Sequence, residues 1–385
     1  MYYKSKISTG ALQWVVLLVL GLALGACSAG GNDDFPSDRR QSNMIVRFTL
    51  PEQAAAGEPS GAGNGYEDGS FPENYIDVQN SCRVLFFSTN NTFLGQLDRQ
   101  VVAEITGTNY RQYNLSGIPP LNLPSDFKIM IAANWPDMSL IDNAIVGATT
   151  IDDICHGIAS VFDVPPGFKS APENGQLMPF FGIHSYSNIT IMPGTVTLPE
   201  PITLLRAMAK VEVIFSGANT ELPPAVTLCR FNVKGYCAPL GVYDQSDYGQ
   251  GNDWDTDYLR RLHLVTADNN NEPEAAGHRT ALAMADDGSY RWTAYVPEYR
   301  NLRADGTPAP DEAFIEIKLS SQALGEEPFR IYFSSYSGET SANTTLPRFN
   351  IERNNIYRFI VSLHHGRITI IARPWNYRPQ PEINA

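Results

Sequence analysis

Three acidic residues with alternate spacing, Asp253, Asp255 and Asp257, could begin a calcium-binding loop. Such a loop takes oxygen ligands from its first, third and fifth positions, and it also needs glycine at the sixth position and glutamate at the twelfth. Tyr258 and Leu264 occupy those two positions here. The pattern therefore favours a solvated acidic loop, and we expect neither a metal nor another cofactor.

Short motifs that position a catalytic group are lacking from the sequence. It contains neither Gly-x-Ser-x-Gly nor His-Glu-x-x-His, and it has no phosphate-binding loop. Its scattered serine and histidine residues do not define a catalytic triad by spacing alone. We therefore predict a protein that has no catalytic residues and is not an enzyme.

A group of aromatic residues surrounds the acidic stretch, namely Tyr243, Tyr248, Trp254 and Tyr258. Aromatic rings with one polar edge can form a flat platform for a sugar. The same side chains can instead cover the edge of a β-sheet, and this is the favoured interpretation. Binding of a glycan or a host protein through exposed aromatic loops is the alternative.

The N-terminus carries the most specific signal in the chain. Lys4 and Lys6 precede an apolar run from Leu12 to Leu24, which is too short to span a bilayer comfortably and suits a signal peptide. The run ends in Leu-Gly-Ala-Cys, which resembles the lipobox of bacterial lipoproteins. That resemblance implies cleavage after residue 26 and lipidation of Cys27. An ordinary secretory signal that happens to end in cysteine is the alternative.

The residues after Cys27 fit a tether. Residues 27–42 are rich in glycine and polar residues, so they cannot bury enough apolar surface to become ordered. Asp33 and Asp34 resemble the short acidic signals that send lipoproteins to the outer leaflet of the outer membrane. We expect a surface-exposed protein that is held in the cell outer membrane by palmitate or a similar acyl chain.

The amino-acid composition excludes some classes of function and favours one class of protein. The chain has 41 acidic and 28 basic residues and a net charge of −13, which makes nucleic acid a poor partner. Its 30 glycines, 27 prolines and 11% aromatic residues, with frequent short β-branched runs, are typical of an all-β extracellular protein. No second segment of the sequence is apolar enough to cross a membrane.

Four cysteines remain if Cys27 is lipidated: Cys82, Cys155, Cys229 and Cys237. An even number of cysteines outside the cytoplasm is compatible with disulfides, and a hairpin could bridge the last two. Four buried thiols are an equally good interpretation. No zinc-binding Cys-x-x-Cys spacing occurs.

Residues Asn43–Leu50 form the first predicted strand. Its apolar residues alternate with polar ones, as expected for a half-buried strand, and they are Met44, Val46, Phe48 and Leu50. A glycine-rich loop or linker, Pro51–Glu73, follows.

Further strands are predicted along the rest of the chain. Lys210 and Glu212 should lie on the outward face of a strand that runs to Phe215. One helix is predicted at Ile151–Phe162, with Thr150 as its cap. The other strand candidates are Ser81–Ser88, Lys128–Ala133, Ala225–Lys234, Tyr290–Val296, Ala313–Ser320, Phe329–Ser334, Asn355–Leu363 and Arg367–Arg373.

Together these elements resemble the fimbrillins, the two-domain lipoprotein pilins of surface fimbriae in certain anaerobic Gram-negative bacteria. The resemblance rests on the order of several weak features over nearly the whole mature chain. They are the lipobox, Ile76-Asp77-Val78 through Leu85-Phe86-Phe87 to Leu94-Gly95, Ala132-Ala133-Asn134, Pro179-Phe180-Phe181-Gly182, the run Leu205–Val213, Asn355–Phe359 and Arg373-Pro374-Trp375.

The resemblance implies two transthyretin-like β-sandwich domains in tandem, here expected at residues 43–204 and 205–385. It also implies a structural subunit of fimbriae that supports cell adhesion and assembles with other fimbrial subunits by donor-strand exchange. In this scheme one subunit lends a strand that satisfies the open groove of the next. The first strand of this chain would fill its own groove with Met44, Val46, Phe48 and Leu50.

The resemblance further implies that an arginine-specific protease removes the first strand from polymerising stalk subunits. The sequence contains no arginine or lysine from Phe48 to Cys82. Arg39 and Arg40 precede the strand, and Arg47 lies inside it. The chain is therefore expected to keep its first strand and its lipid, as an anchor subunit at the base of a fimbrium would.

Overall fold

The structure is a computed structural model. All described residues belong to one compact unit, Ser42–Ala385, and the signal peptide and Cys27 lie outside them. The described residues are 42–50, 75–106, 112–161, 177–216, 222–223, 225–231, 236–237, 239, 278–279, 283–284, 288–303, 305–319, 327–334, 336–339, 346–364 and 367–375.

Strands dominate the first part of the chain because apolar and polar residues alternate there over short runs. The burial of the first strand alternates residue by residue, as its sequence predicts. The strands are β1 (Asn43–Thr49), β2 (Cys82–Phe87), β3 (Phe93–Gln96), β4 (Asp98–Thr106), β5 (Gln112–Ile118), β6 (Phe127–Ala133), β7 (Ser160–Val161), β8 (Phe180–Tyr186), β9 (Thr195–Thr197), β10 (Ile202–Thr203) and β11 (Leu205–Arg206).

Eleven further strands follow in the part of the chain that the structure describes. They are β12 (Ala209–Phe215), β13 (Ala225–Cys229), β14 (Tyr236–Cys237), β15 (His278–Arg279), β16 (Ala283–Met284), β17 (Tyr290–Val296), β18 (Phe314–Lys318), β19 (Phe329–Tyr332), β20 (Tyr336–Glu339), β21 (Ile356–His364) and β22 (Arg367–Trp375). Most predicted strands are present with bounds that differ by a few residues at one or both ends, and β17 has the predicted bounds.

Within the described residues, two short helices interrupt the strands, α1 (Ser139–Asp142) and α2 (Ile151–Gly157). Thr150 caps α2 in a reciprocal capping box with Asp153, as predicted. The prediction that this helix continues to Phe162 is wrong, because the chain leaves the helix after Gly157 and forms β7. A long-range partner causes this: β7 pairs with β14, which lies far away in the sequence.

Two sheets enclose the first hydrophobic core. Sheet 1 has the order β10-β1-β5-β4, with β9 also paired to β1, and sheet 2 has the order β11-β8-β6-β2-β3. Gly182 in β8 allows the two sheets to approach closely, since a Cβ atom there would lie 2.4 Å from the carbonyl oxygen of Thr203. Side chains of both sheets form one buried cluster, which is the arrangement of a β-sandwich.

Two further sheets enclose a second core. Sheet 3 has the order β16-β17-β12-β21-β22-β20, and sheet 4 has the order β15-β13-β18-β19. The second core includes Trp292, Tyr299 and Phe359. The predicted fold class, all-β with two β-sandwiches, is confirmed.

The two cores meet near the middle of the chain. The first core includes residues up to Met208, and the second begins at Ala209. Arg206 donates a 2.9 Å hydrogen bond to the side-chain oxygen of Asn354, and the backbone N–H of Asn354 donates to the carbonyl of Met208. Cys237 belongs to the first core although it follows β12 in the chain. The domain boundary between residues 204 and 205 stays a prediction.

Candidate functional site

The first strand lies inside sheet 1 and has neighbours on both sides. It pairs in antiparallel fashion with β5, from Met44 opposite Gly117 to Thr49 opposite Gln112. On its other side it pairs in parallel fashion with β9 and then with β10. We call the space between β5 and the β9–β10 edge, which β1 occupies, the first-strand groove.

The four predicted apolar residues of the first strand are buried. Met44, Val46 and Phe48 have no exposed side-chain surface, and Leu50 is 4% exposed. Phe48 stacks on Tyr113 of β5 with ring centroids 4.8 Å apart. Burial of side chains of this size stabilises a fold by about 1.5–3 kcal/mol each. Their role as groove-filling residues stays a prediction.

Hydrogen bonds fix both ends of the first strand in the first-strand groove. The backbone N–H of Asn43 donates to the carbonyl of Gly194 at 2.7 Å, and the Asn43 side chain donates to the hydroxyl of Ser116 at 2.7 Å. At the other end, the N–H of Leu204 donates to the carbonyl of Thr49 at 2.9 Å. These bonds place the strand in one register.

The polar face of the first strand carries Arg47, which the sequence identified as a conceivable cleavage site. Arg47 pairs with Asn114 in the ladder between β1 and β5. Its guanidinium donates to the carbonyl oxygen of Leu198 at 3.1 Å and also to that of Pro199. The peptide bond after Arg47 therefore lies in a paired strand and not in an exposed loop, where proteolysis concentrates.

The first-strand groove is occupied by an extended segment of the same chain. A strand in this position satisfies the backbone groups of β5 on one side and of β9 and β10 on the other. Without a strand in this position, both rows of backbone groups would be unpaired, and the apolar surface that β1 covers would be exposed to another chain. The geometry therefore supports recognition of a strand.

Several residues that the sequence marked for function lie outside the described residues. They are Cys27, the acidic group Asp253, Asp255 and Asp257, and the aromatic group Tyr243, Tyr248, Trp254 and Tyr258. Within the described part of the chain, no three His, Cys, Asp or Glu side chains are grouped so as to hold a metal ion. No described helix is long and apolar enough to cross a membrane.

The structure decides between the two interpretations of the cysteines. Cys82, Cys155, Cys229 and Cys237 are thiols, and no disulfide joins them. The last two lie in strands of different sheets, and their sulfur atoms contact backbone carbonyls instead, Cys229 that of Thr227 at 4.0 Å and Cys237 that of Ala207 at 3.9 Å. Burial raises the pKa of Cys82 to about 12 and raises the pKa of Cys237 further still. These thiols stay protonated at neutral pH and are poor nucleophiles.

The second sandwich contains a charged group that the sequence placed at the surface. Lys210 and Glu212 lie on the outward face of β12, as predicted, but both are buried, and Glu212 is 1% exposed. Glu212 contacts Lys210 at 3.1 Å, Arg358 at 2.8 Å and Arg291 at 3.8 Å. Burial alone would raise the pKa of Glu212, but these cations hold it below its ordinary value. The prediction that the two residues face solvent is wrong because neighbouring charged side chains cover them.

Comparison with known proteins gives structural likenesses only, because no protein-family model and no curated protein matches the sequence. The structure is similar to the tip fimbrial protein Mfa3 from Porphyromonas gingivalis with a C-terminal truncation. The TM-score is 0.52 at 14% sequence identity, and the match covers 87% of this chain and 99% of that chain.

Two candidate cell adhesion proteins are more distant. The protein from Bacteroides ovatus has a TM-score of 0.42 at 12% identity, covering 88% of this chain and 98% of that one. The protein from Bacteroides uniformis has a TM-score of 0.40 at 10% identity, covering 86% and 98%. These two likenesses carry no argument at such scores. The likeness to the tip fimbrial protein shows that the chain has the fold of that protein over nearly its full length.

Proposed function

We propose that this protein is a structural subunit of cell-surface fimbriae that supports adhesion. The observation that carries the proposal is the seating of β1 in the first-strand groove, with a paired neighbour on each side and its apolar side chains buried. A sandwich that accepts one strand in this way has the chemistry needed for assembly by strand exchange. The fold likeness to a tip fimbrial protein supports the same class of function.

The proposed subunit is an anchor. The first strand is retained, because Arg47 is engaged by two carbonyl groups within a paired strand and no other basic residue lies between Phe48 and Cys82. An anchor with a filled first-strand groove would still offer to the next subunit the part of its C-terminal region, Arg367–Ala385, that follows β22, because β22 itself is paired with β21 and β20. It would thus end a chain of subunits at the membrane.

The anchor needs a tether, and Cys27 supplies it in this proposal. Cleavage after residue 26 would leave an acylated Cys27 in the outer membrane, followed by the predicted tether, which runs to residue 42. The two sandwiches would correspond to residues 43–204 and 205–385. This arrangement places the protein on the cell surface, where it would contact other fimbrial subunits and the membrane. The role is structural, and we assign no catalytic residue.

Deletion of the gene tests the proposal. Electron micrographs of the deletion strain should show fewer fimbriae, or fimbriae shed into the medium, whereas the parent strain retains them. The wild-type protein should restore the parent appearance and should co-purify with sheared fimbriae. Normal attached fimbriae in the deletion strain, together with no co-purification, would contradict the proposed function.

A further inference from the structure

The edge that flanks the first strand is interrupted halfway along. β9 ends with Thr197 opposite Ile45, and β10 begins with Ile202 opposite Phe48. The interruption therefore spans residues 198–201, while the facing part of β1 has only residues 46 and 47. Its sequence is Leu-Pro-Glu-Pro, and proline has no N–H to give to a sheet ladder.

Side chains satisfy the backbone carbonyl groups of this interruption. The carbonyls of Leu198 and Pro199 both accept from the same terminal nitrogen of Arg47. The carbonyl of Glu200 accepts from the Tyr186 hydroxyl at 2.7 Å. Carbonyl groups next to a core need donors, and here the ladder does not provide them. The N–H of Leu198 still donates to the carbonyl of Ile45 at 3.1 Å, and Arg47 supplies the donors for the carbonyls of Leu198 and Pro199.

The guanidinium of Arg47 lies against the interruption, where the Arg47 side chain is partly buried and its hydrogen bond to Pro199 is exposed. Its Nε atom is shielded from solvent. Within the described part of the chain Arg47 makes no salt bridge, so the carbonyl dipoles are its binding groups. Hydrogen bonds that involve a charged donor are about twice as strong as neutral ones.

We infer that residues 198–201 form a guanidinium-binding subsite of the first-strand groove, and that the arginine bound there fixes the register of the strand. A shift by one residue in either direction would place Val46 or Phe48 at the subsite. Neither side chain has a donor, and the whole apolar face would turn to the wrong side of the sheet. If assembly by strand exchange replaced β1 in this groove, the incoming strand would also need an arginine at this register, and this extension rests on the proposed function.

Hydrogen exchange of the purified full-length protein tests the subsite. Arg47→Met keeps the apolar stem but removes the donors, so we expect the β1 amides to exchange at least about tenfold faster. Arg47→Lys keeps the charge without the planar fork, and we expect an intermediate rate. The β12 amides, in the other sandwich, should not change.

Arg83→Met is the matched control, because Arg83 makes a surface salt bridge to Asp142 in the same sandwich. It should leave β1 exchange as in the wild type. Equal protection of β1 in Arg47→Met and the wild type would overturn the inference, and so would equal acceleration by Arg83→Met. If Arg47→Met does not fold, Arg47→Lys decides, since wild-type protection there would contradict a guanidinium-specific subsite. Hydrogen exchange is measured without fimbriae. Normal fimbriae in the deletion strain would therefore contradict the proposed function but not the guanidinium-binding subsite.

Discussion

Phe48 of the first strand and Tyr113 of β5 stack with an interplanar angle of 15° and ring centroids 4.8 Å apart. Phe48 has no exposed side-chain surface. Phe48→Ala should lower the free energy of unfolding of the first sandwich by about 3–5 kcal/mol, because it leaves a cavity under the stack. Native-state hydrogen exchange at β5 measures this loss, with β12 as an internal reference.

Leu121→Ala provides the control for that prediction, since Leu121 is 80% exposed. It should change the stability by no more than about 0.5 kcal/mol. A Phe48→Ala variant as stable as the Leu121→Ala variant would mean that the first strand adds little to the core.

Glu212 should make the second sandwich sensitive to acid. The folded pKa lies below the ordinary value of 4.5, so its stabilising effect is present above about pH 4.5 and is lost as the pH falls through the folded pKa. Glu212→Gln should cost about 3–5 kcal/mol at pH 7, because three cations lose their buried carboxylate. The free energy of unfolding of this variant should also fall less steeply below pH 4.5 than that of the wild type.

Urea unfolding at pH 7 and at pH 3 to 4 measures both effects. Glu316→Gln is the control, because its carboxylate is 31% exposed and lies 4.0 Å from Arg330. That exposed pair should contribute less than about 1 kcal/mol. An acid response that is the same in the wild type and in Glu212→Gln would assign the sensitivity to other groups.

The buried thiols should differ in reactivity. Cys82 and Cys237 are buried and have raised pKa values, whereas Cys229 is partly exposed. Iodoacetamide at pH 8 should therefore label Cys229 first in the native protein. In denaturant without a reductant, mass spectrometry should find all four cysteines labelled. Two unlabelled cysteines under those conditions would reveal a disulfide that the structure does not contain.

Much of the fold could be predicted where period-two alternation is regular. Such runs predict β1 and β12, and Thr150 together with Asp153 predicts the cap of α2. Other strands lack the signal: β9 and β10 have three and two residues, and the register of β4 shifts twice against β5. The end of α2 depends on pairing with β14, which a local pattern does not contain.

At the candidate site, too, the local sequence predicts some features, and others depend on residues that are distant in the chain. Burial of Met44, Val46 and Phe48 could be expected from their spacing. The role of Arg47 could not, because Leu198 lies 151 residues away in the sequence. The prolines at 199 and 201 were the available signal, since they interrupt a strand. The burial of Glu212 depends on Arg291 and Arg358 from neighbouring strands. The sequence of β12 by itself predicts that the Glu212 carboxylate faces solvent.

Replacement of Cys27 tests the tether. Cys27→Ala should abolish palmitate labelling and release the protein from the membrane fraction, because no thiol remains at the lipobox. Palmitate labelling of the variant at the wild-type level would contradict the assignment.

The mature N-terminus tests the anchor account most directly. The intact mass of the protein taken from the outer membrane should correspond to a chain that begins at an acylated Cys27 and retains β1. A chain that begins anywhere between Phe48 and Asn80 would have lost the first strand. That result would contradict the account and would favour a stalk or tip subunit whose first-strand groove is open to a neighbour.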